Sequence, residues 1–216
     1  MKRLLRVFFR LLYHEFSWSY DLVANLVSFG RWQEWTRSIM PYLADGPILE
    51  LGTGSGHLQL SLNQTGRTVF GLDLSPQMLR ITRQRLSADG FTPKLARGTG
   101  RLLPFATGTF QNVTATFPTE YLFQPETLAE IARVLAPGGR LIVLPMVFIT
   151  GRSLLQRMVA WLYRVTGQSA QQEAVFKQDP FMVFKTAGFA ITQHLIEEQG
   201  VSLLVIEALL PEPNRA

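Results

Sequence analysis

The 216-residue chain contains no cysteine, so disulfide bonds, thiolate metal sites and cysteine nucleophiles are excluded. It has only three histidines, His14, His57 and His194, and none has a second histidine at the offset of an H-E-x-x-H metal site. We therefore expect no metal. The uninterrupted apolar run at 141–149 is about half of the roughly 20 residues that span a bilayer, so we also expect no transmembrane helix.

Charged residues are scarce, at 17% of the chain, whereas hydrophobic residues make up 47%. This balance is typical of a globular protein with a large core. The net charge of +5 arises from 21 basic and 16 acidic residues. Because no basic patch interleaved with aromatic residues is evident, the sequence argues against a nucleic-acid partner. The lack of cysteine and of a signal peptide fits a cytoplasmic protein.

The N-terminal segment predicts a basic amphipathic helix. Leucine and phenylalanine side chains cover one side of residues 2–12, and Lys2, Arg3, Arg6 and Arg10 cover the other. Such a helix can pack its apolar face on the core of the domain. It can also lie on an anionic membrane surface, which would place the protein peripherally at the inner membrane face. The sequence leaves both interpretations open and does not set the oligomeric state.

Alternating helices and strands predict an α/β fold, a Rossmann-like doubly wound sheet of seven mostly parallel strands. The predicted helices cover 2–16, 18–28, 31–43, 57–65, 76–88, 125–135, 152–166 and 179–187. The predicted strands cover 47–51, 68–72, 93–96, 112–117, 140–147, 189–198 and 202–209. The last two strands are joined by so short a turn that they must form an antiparallel hairpin. We expect one domain, with residues 1–45 as an N-terminal helical cap and residues 46–216 as the main body.

A glycine-rich turn, Glu50-Leu51-Gly52-Thr53-Gly54-Ser55-Gly56, follows the first predicted strand and opens a helix. Glycine there permits a tight turn and a close approach of a ligand to the backbone, and the helix start presents free N–H groups. Asp73 ends the second strand, where a carboxylate can accept hydrogen bonds from a ribose diol. His57 stands where a G-x-G-x-x-G dinucleotide motif needs its third glycine, so that motif is not matched.

At this point the chain resembles the class I S-adenosylmethionine-dependent methyltransferases. The segments that carry the resemblance are Ile48–Gly56, Gly71–Leu79, Leu103–Phe105 with Phe110, and Leu135–Leu141. They cover about residues 46–147 in the order and spacing of the family. The resemblance implies a seven-stranded sheet that ends in an antiparallel hairpin, S-adenosylmethionine as the cofactor, and methyl transfer as the activity.

The resemblance also implies cofactor contacts, residue by residue. These are Tyr20, Glu50, Gly52, Thr53, Gly54, Gly56, Asp73, Leu74, Met78, Thr99, Gly100 and Phe117. The glycine-rich turn would pass against the methionine part of the cofactor, with Glu50 as its anchor. Asp73 would hold the ribose hydroxyls, and Leu74 with Met78 would cover the adenine. The segment 116–121, which includes Phe117, would line the site beneath the methyl group.

Two features depart from or refine this pattern. After the third strand the family often has an acid followed by a small residue, whereas this chain has Thr99-Gly100, which can hydrogen-bond without a charge. The runs 20–25 and 28–32 partly resemble the helix that closes over the cofactor in methyltransferases of ubiquinone and menaquinone biosynthesis. In that resemblance Tyr20 would cap the site, and a quinone-like or lipid-like acceptor is implied.

Displacement of a methyl group from a sulfonium needs alignment more than a fixed catalytic residue, so the sequence names no catalytic residue. Glu120 and Tyr121 follow the fourth strand at the substrate edge and are candidate bases, as is His14 if the first helix covers the site. We expect a methyltransferase that acts on a small, apolar acceptor. The alternative is a catalytically degenerate binding protein with the same fold at a membrane surface, motivated by Thr99 and the basic N-terminal helix.

Overall fold

The computed structural model describes residues 28, 30–149, 180–198 and 200–212. The predicted helices 2–16 and 152–166 lie outside the described residues, as do most of 18–28 and therefore Tyr20 and His14.

Seven strands form one sheet in the order β3-β2-β1-β4-β5-β7-β6. Their bounds are β1 Ile48–Leu51, β2 Val69–Asp73, β3 Leu95–Arg97, β4 Phe110–Thr116, β5 Leu135–Ile149, β6 Ala190–Glu198 and β7 Val201–Leu209. Strands β1 to β5 pair in parallel, and β7 is antiparallel to both of its neighbours. The predicted fold class is confirmed, including the reversed strand at the end of the chain.

Helices cover both faces of the sheet. The α-helices are α1 Trp32–Arg37, α2 His57–Gln64, α3 Pro76–Ala88, α4 Pro125–Val134 and α5 Pro180–Thr186, and short 3-10 helices cover Met40–Tyr42 and Glu120–Phe123. Helix α3 begins as its sequence predicts, because the Ser75 hydroxyl accepts a hydrogen bond from the Met78 N–H at 3.3 Å and Pro76 occupies the first turn.

The core consists of two apolar clusters, one on each face of the sheet. Leu49 faces the cluster that contains α4 and α5, and its neighbour Ile48 faces the cluster that contains α1 and α2. This alternation follows from the two-residue period of a strand. Trp35 and Ile39 are almost fully buried in the second cluster, so the described part of the region before residue 46 packs on the main body.

Two predicted elements differ from the structure by more than two residues at one end. The helix predicted over 31–43 ends at Arg37 and is followed by the 3-10 helix, because Pro41 has no N–H to continue an α-helical ladder. The strand predicted over 140–147 is longer and starts at Leu135. The register of its pairing with β4 shifts between Phe110 and Asn112. On the β5 side of this shift, Gly138 has a positive φ of 73°.

Within the described residues, no helix combines the length and apolar character needed to cross a membrane.

Candidate functional site

A small cleft opens at the carboxyl ends of β1 and β4. Its lining residues are Trp32, Thr36, Glu50, Gly52, Thr53, Gly54, Ser55, His57, Leu58 and Thr116. The strand order reverses here, since β2 lies on one side of β1 and β4 on the other. Ligands of doubly wound sheets bind at such a switch point.

The glycine-rich turn forms one wall of the cleft in a conformation that needs glycine. Gly52 and Gly54 have φ values of 76° and 52°, in the left-handed region that side chains disfavour. The turn also packs closely on β2, where a methyl group at Gly71 would lie only 2.5 Å from Thr53 Cγ2. Thr82 of α3 holds the turn from outside by donating a hydrogen bond to the Gly54 carbonyl at 2.9 Å. The backbone at the cleft is therefore fixed from two sides.

Glu50 is the buried carboxylate of the cleft. Its side chain is 2% exposed, and Oε2 has no hydrogen-bond partner among the described residues. Burial raises the pKa of Glu50 to about 8, the negative charge of Asp73 adds to the rise, and the Gln59 side chain opposes it. A buried carboxylate without a partner is costly, so this atom is suited to accept a hydrogen bond from a ligand or to pair with a cation.

Asp73 joins the end of β2 to the glycine-rich turn. One carboxylate oxygen accepts the Gly54 N–H at 3.0 Å and the other accepts the Ser75 N–H at 2.8 Å. Burial raises the pKa of Asp73, and these backbone N–H groups oppose the rise. Asp73 is thus fixed beside the turn, at the edge of the sheet where ligands of such folds bind.

Tyr121 lies against the same turn from the side of β4. A methyl group at Gly52 would be 3.6 Å from the Tyr121 hydroxyl, and one at Gly100 would be 3.3 Å from the ring. Burial raises the pKa of the Tyr121 phenol above its ordinary value, and the negative charges of Asp73 and Glu50 raise it further. The hydroxyl thus stays protonated near neutral pH and is a hydrogen-bond donor rather than a base.

An aromatic pair borders the cleft where β4 ends. Phe117 has a φ of 49°, the only positive φ of a residue other than glycine in the described part of the chain. Its ring stacks on Trp32 with the centroids 4.4 Å apart, and its N–H donates to the Leu144 carbonyl at 2.7 Å. Backbone strain of this kind is concentrated at functional sites, where the surroundings hold it in place.

The remaining residues chosen from the sequence lie around the cleft rather than in its wall. Leu74 is 59% exposed, and Thr99 is also exposed, at the ends of β2 and β3. Met78 is 2% exposed because its position in α3 faces the sheet. Gly56 and Gly100 are buried, the first against α3 and the second against Tyr121.

Sequence reasoning missed two residues that line the cleft, Thr36 and Leu58, whereas Trp32 ends the run 28–32 that was compared with a helix closing over the cofactor. Trp32 and Thr36 are four positions apart and thus share one face of α1, and this spacing is the signal that was available. His57 lines the cleft at the start of α2, whereas His194 lies on β6 and its ring contacts Glu207 at 3.0 Å.

Comparison with known proteins gives a consistent picture. Residues 48–139 match the family model described as a methyltransferase domain. The demethylmenaquinone methyltransferase of Thermus thermophilus is 37% identical over 139 residues, which are 62% of this chain and 63% of that protein. The enzyme of the same name from Tropheryma whipplei is 31% identical over 161 residues, covering 72% of this chain and 64% of that protein.

The fold is also found in solved structures. An S-adenosylmethionine-dependent methyltransferase from Methanosarcina mazei superposes with a TM-score of 0.56 at 20% identity, over 81% of this chain and 98% of the other. The chain spans somewhat less than two thirds of the length of the curated relatives that it matches. Neither the matched sequences nor the similar structures favour the alternative of a degenerate binding protein.

Proposed function

We propose that this chain transfers a methyl group from S-adenosylmethionine to a small apolar acceptor. The premise is that it carries a methyltransferase domain at residues 48–139 within a class I methyltransferase fold. The observation that carries the proposal is the pair of carboxyl groups beside the glycine-rich turn. Glu50 and Asp73 stand at the ends of adjacent strands on either side of the glycine-rich turn, and the described lining residues include no lysine or arginine.

S-adenosylmethionine fits this arrangement because it is cationic at its sulfonium and its amino group. Glu50, whose Oε2 lacks a partner among the described residues, would hold the amino end. The backbone of Gly52 and Gly54 leaves room for close contact, and Asp73 would accept hydrogen bonds from the ribose hydroxyls. Leu74 at the exposed end of β2 would cover the adenine. When bound, the cofactor supplies a methyl group on a good leaving group.

The contribution of the protein is then alignment and shielding. Tyr121 would donate a hydrogen bond into the cleft, since its raised pKa makes it unsuitable as a base. Glu120, the other candidate base of this segment, is exposed next to Tyr121 in the chain. The stacked rings of Phe117 and Trp32 would form a flat apolar wall against which an aromatic acceptor can lie.

The proposed acceptor is a quinone-type ring with an apolar tail. It is supported by the names of the relatives, which are demethylmenaquinone methyltransferases, and by the aromatic wall of the cleft. We retain as part of the proposal a cytoplasmic location with peripheral membrane contact through the basic N-terminal helix. The division into a cap of residues 1–45 and a body of residues 46–216 also stays a prediction.

Calorimetric titration of the protein with S-adenosylmethionine tests this function. We expect Asp73→Ala to weaken binding by about 10–100-fold, from the loss of charge-assisted hydrogen bonds. Asp45→Ala is the matched control, because this acid is fully exposed and its only described ion-pair contact is to Arg67 at 3.9 Å. No binding by the unaltered protein at millimolar cofactor would refute the function, and unchanged affinity in Asp73→Ala would refute the ribose assignment.

A further inference from the structure

The net charge of the chain comes from one short stretch. Residues 76–101 contain six basic residues and one acid, whereas the rest of the chain contains fifteen of each, so this stretch accounts for the whole excess of +5. It comprises α3, β3 and the start of the loop that follows β3. Although arginines occur along the whole sequence, this stretch combines six basic residues with a single acid.

The exposed cations of this stretch are not neutralised within the described residues. Arg80 and Arg83 are exposed three positions apart on α3 and form no ion pair there. Arg97 donates a hydrogen bond to the Leu74 carbonyl at 3.2 Å, and Arg101 donates to Gln124 Oε1 at 2.7 Å, so both have uncharged partners. By contrast, the arginines in described ion pairs are Arg31, Arg67, Arg133 and Arg140.

Two exposed leucines accompany these cations. Leu102 is 77% exposed and Leu74 is 59% exposed, although both are aliphatic. They follow β3 and β2 respectively, at the carboxyl edge where the cleft opens. The hydrogen bond from Arg97 to the Leu74 carbonyl ties the two loops together, and a backbone bridge between Thr99 and Leu102 folds the second loop back on itself. Leu102 is therefore an exposed apolar side chain that follows Arg101 directly, whereas Leu74 is the residue assigned to the adenine.

We define the β3-edge surface by Arg80, Arg83, Arg97, Arg101 and Leu102, and we propose that it docks on an anionic lipid bilayer. The arginines would contact the anionic headgroups, and Leu102 would enter the acyl boundary. Nucleic acid fits this surface less well, because none of its five side chains is aromatic and single strands are held by stacking. The inference rests on the proposed function, since an apolar acceptor would be dissolved in the bilayer that the cleft then faces.

Flotation of the full chain with lipid vesicles tests the docking. We expect binding to phosphatidylcholine vesicles that contain phosphatidylglycerol, little binding to phosphatidylcholine alone, and loss of binding at high salt. Arg80→Glu with Arg83→Glu should lower the vesicle partition coefficient by about tenfold or more, because each cation near an anionic surface contributes roughly fivefold. Leu102→Ser should lower it severalfold without a change in charge.

Matched controls separate a local surface from net charge. Arg37→Glu with Lys185→Glu makes the same change in charge at exposed positions on other elements, and Leu195→Ser removes a leucine that is 60% exposed on β6. Both controls should float like the unaltered protein.

Three outcomes would overturn the proposal. They are equal binding to neutral vesicles, normal flotation of the β3-edge variants, and single-stranded RNA binding that depends on the arginines but not on Leu102. Cofactor calorimetry on the same proteins is independent, so a failure of the methyltransferase function would be visible separately.

Discussion

Glu50 in the cleft and Glu130 on helix α4 are the same side chain in opposite surroundings. Glu50 is buried with one oxygen unpaired among the described residues, and burial raises its pKa to about 8. Glu130 contacts the Arg133 guanidinium at 2.6 Å and accepts the Leu103 N–H at 2.8 Å, and the hydrogen bond from Arg133 lowers its pKa to about 2. Arg133 in turn donates to the carbonyls of Leu103 and Phe105.

The difference distinguishes a carboxylate that serves the fold from one that is available to a ligand. The ion pair Glu130–Arg133, which we call the clamp, holds the loop between β3 and β4 and makes these contacts within the protein. Burial disfavours the ionised form of the Glu50 side chain in the folded protein, and perturbed groups of this kind are concentrated at functional sites. The contrast can be tested with pH, with removal of the clamp, and with the glycines of the two regions.

The largest expected effect is on the pH dependence of stability. Because the folded pKa of Glu50 is raised from 4.5 to about 8, the folded state binds more protons between these values, and this group makes the free energy of unfolding fall as pH rises. By linkage the fall is about 3 kcal/mol between pH 4.5 and 7. Denaturant titrations should show that Glu50→Gln lacks this fall, with Glu126→Gln as an exposed control. Parallel curves for Glu50→Gln and the unaltered protein would contradict the prediction.

Removal of the clamp should come next in size. Glu130→Ala leaves Arg133 and the Leu103 N–H without their partner, and we expect a loss of about 2 kcal/mol in the free energy of unfolding near neutral pH. The lowered pKa of Glu130 means that its contribution is present above pH 4.5 and disappears as pH falls towards 2. The difference from the unaltered protein should therefore shrink in acid, which is the opposite sense to Glu50.

Two measurements can disprove this interpretation of the clamp. Glu126→Ala, on the same helix, should change stability by less than about 0.5 kcal/mol, as is usual for exposed positions. Cofactor affinity should be unaltered in Glu130→Ala. A loss of affinity comparable to that of Asp73→Ala would mean that the clamp and the cleft are not separate regions.

The smallest effect is expected from glycine substitutions with similar backbone strain. Gly52 and Gly108 have φ values of 76° and 68°, so alanine at either should cost about 1 kcal/mol of folding stability. A methyl group at Gly108 meets nothing within 4 Å, whereas at Gly52 it enters the cleft beside Tyr121. Calorimetry should detect weaker cofactor binding only for Gly52→Ala. Equal affinities in the two variants would indicate that the ligand does not approach this turn.

Much of the fold was predictable because its signals are local. The start of α3 at Ser75-Pro76, the glycine-rich turn and the hairpin at residue 200 each depend on a few adjacent residues, and each appears where expected. The break at Pro41 was missed, although the proline was visible, because the apolar pattern continues through it. The early start of β5 depends on pairing with β4, which is a contact between distant residues.

The sequence by itself determined the order of elements, the glycine-rich turn and the acids at residues 50 and 73, since these follow from residue type and spacing. Only the tertiary structure decided which of them meet. It joined Asp73 to the Gly54 N–H, placed Trp32 in the cleft and on Phe117, and left one oxygen of Glu50 without a partner among the described residues. The physical reason is that burial and pairing are properties of neighbours in space, and these set the pKa and the charge of the cleft.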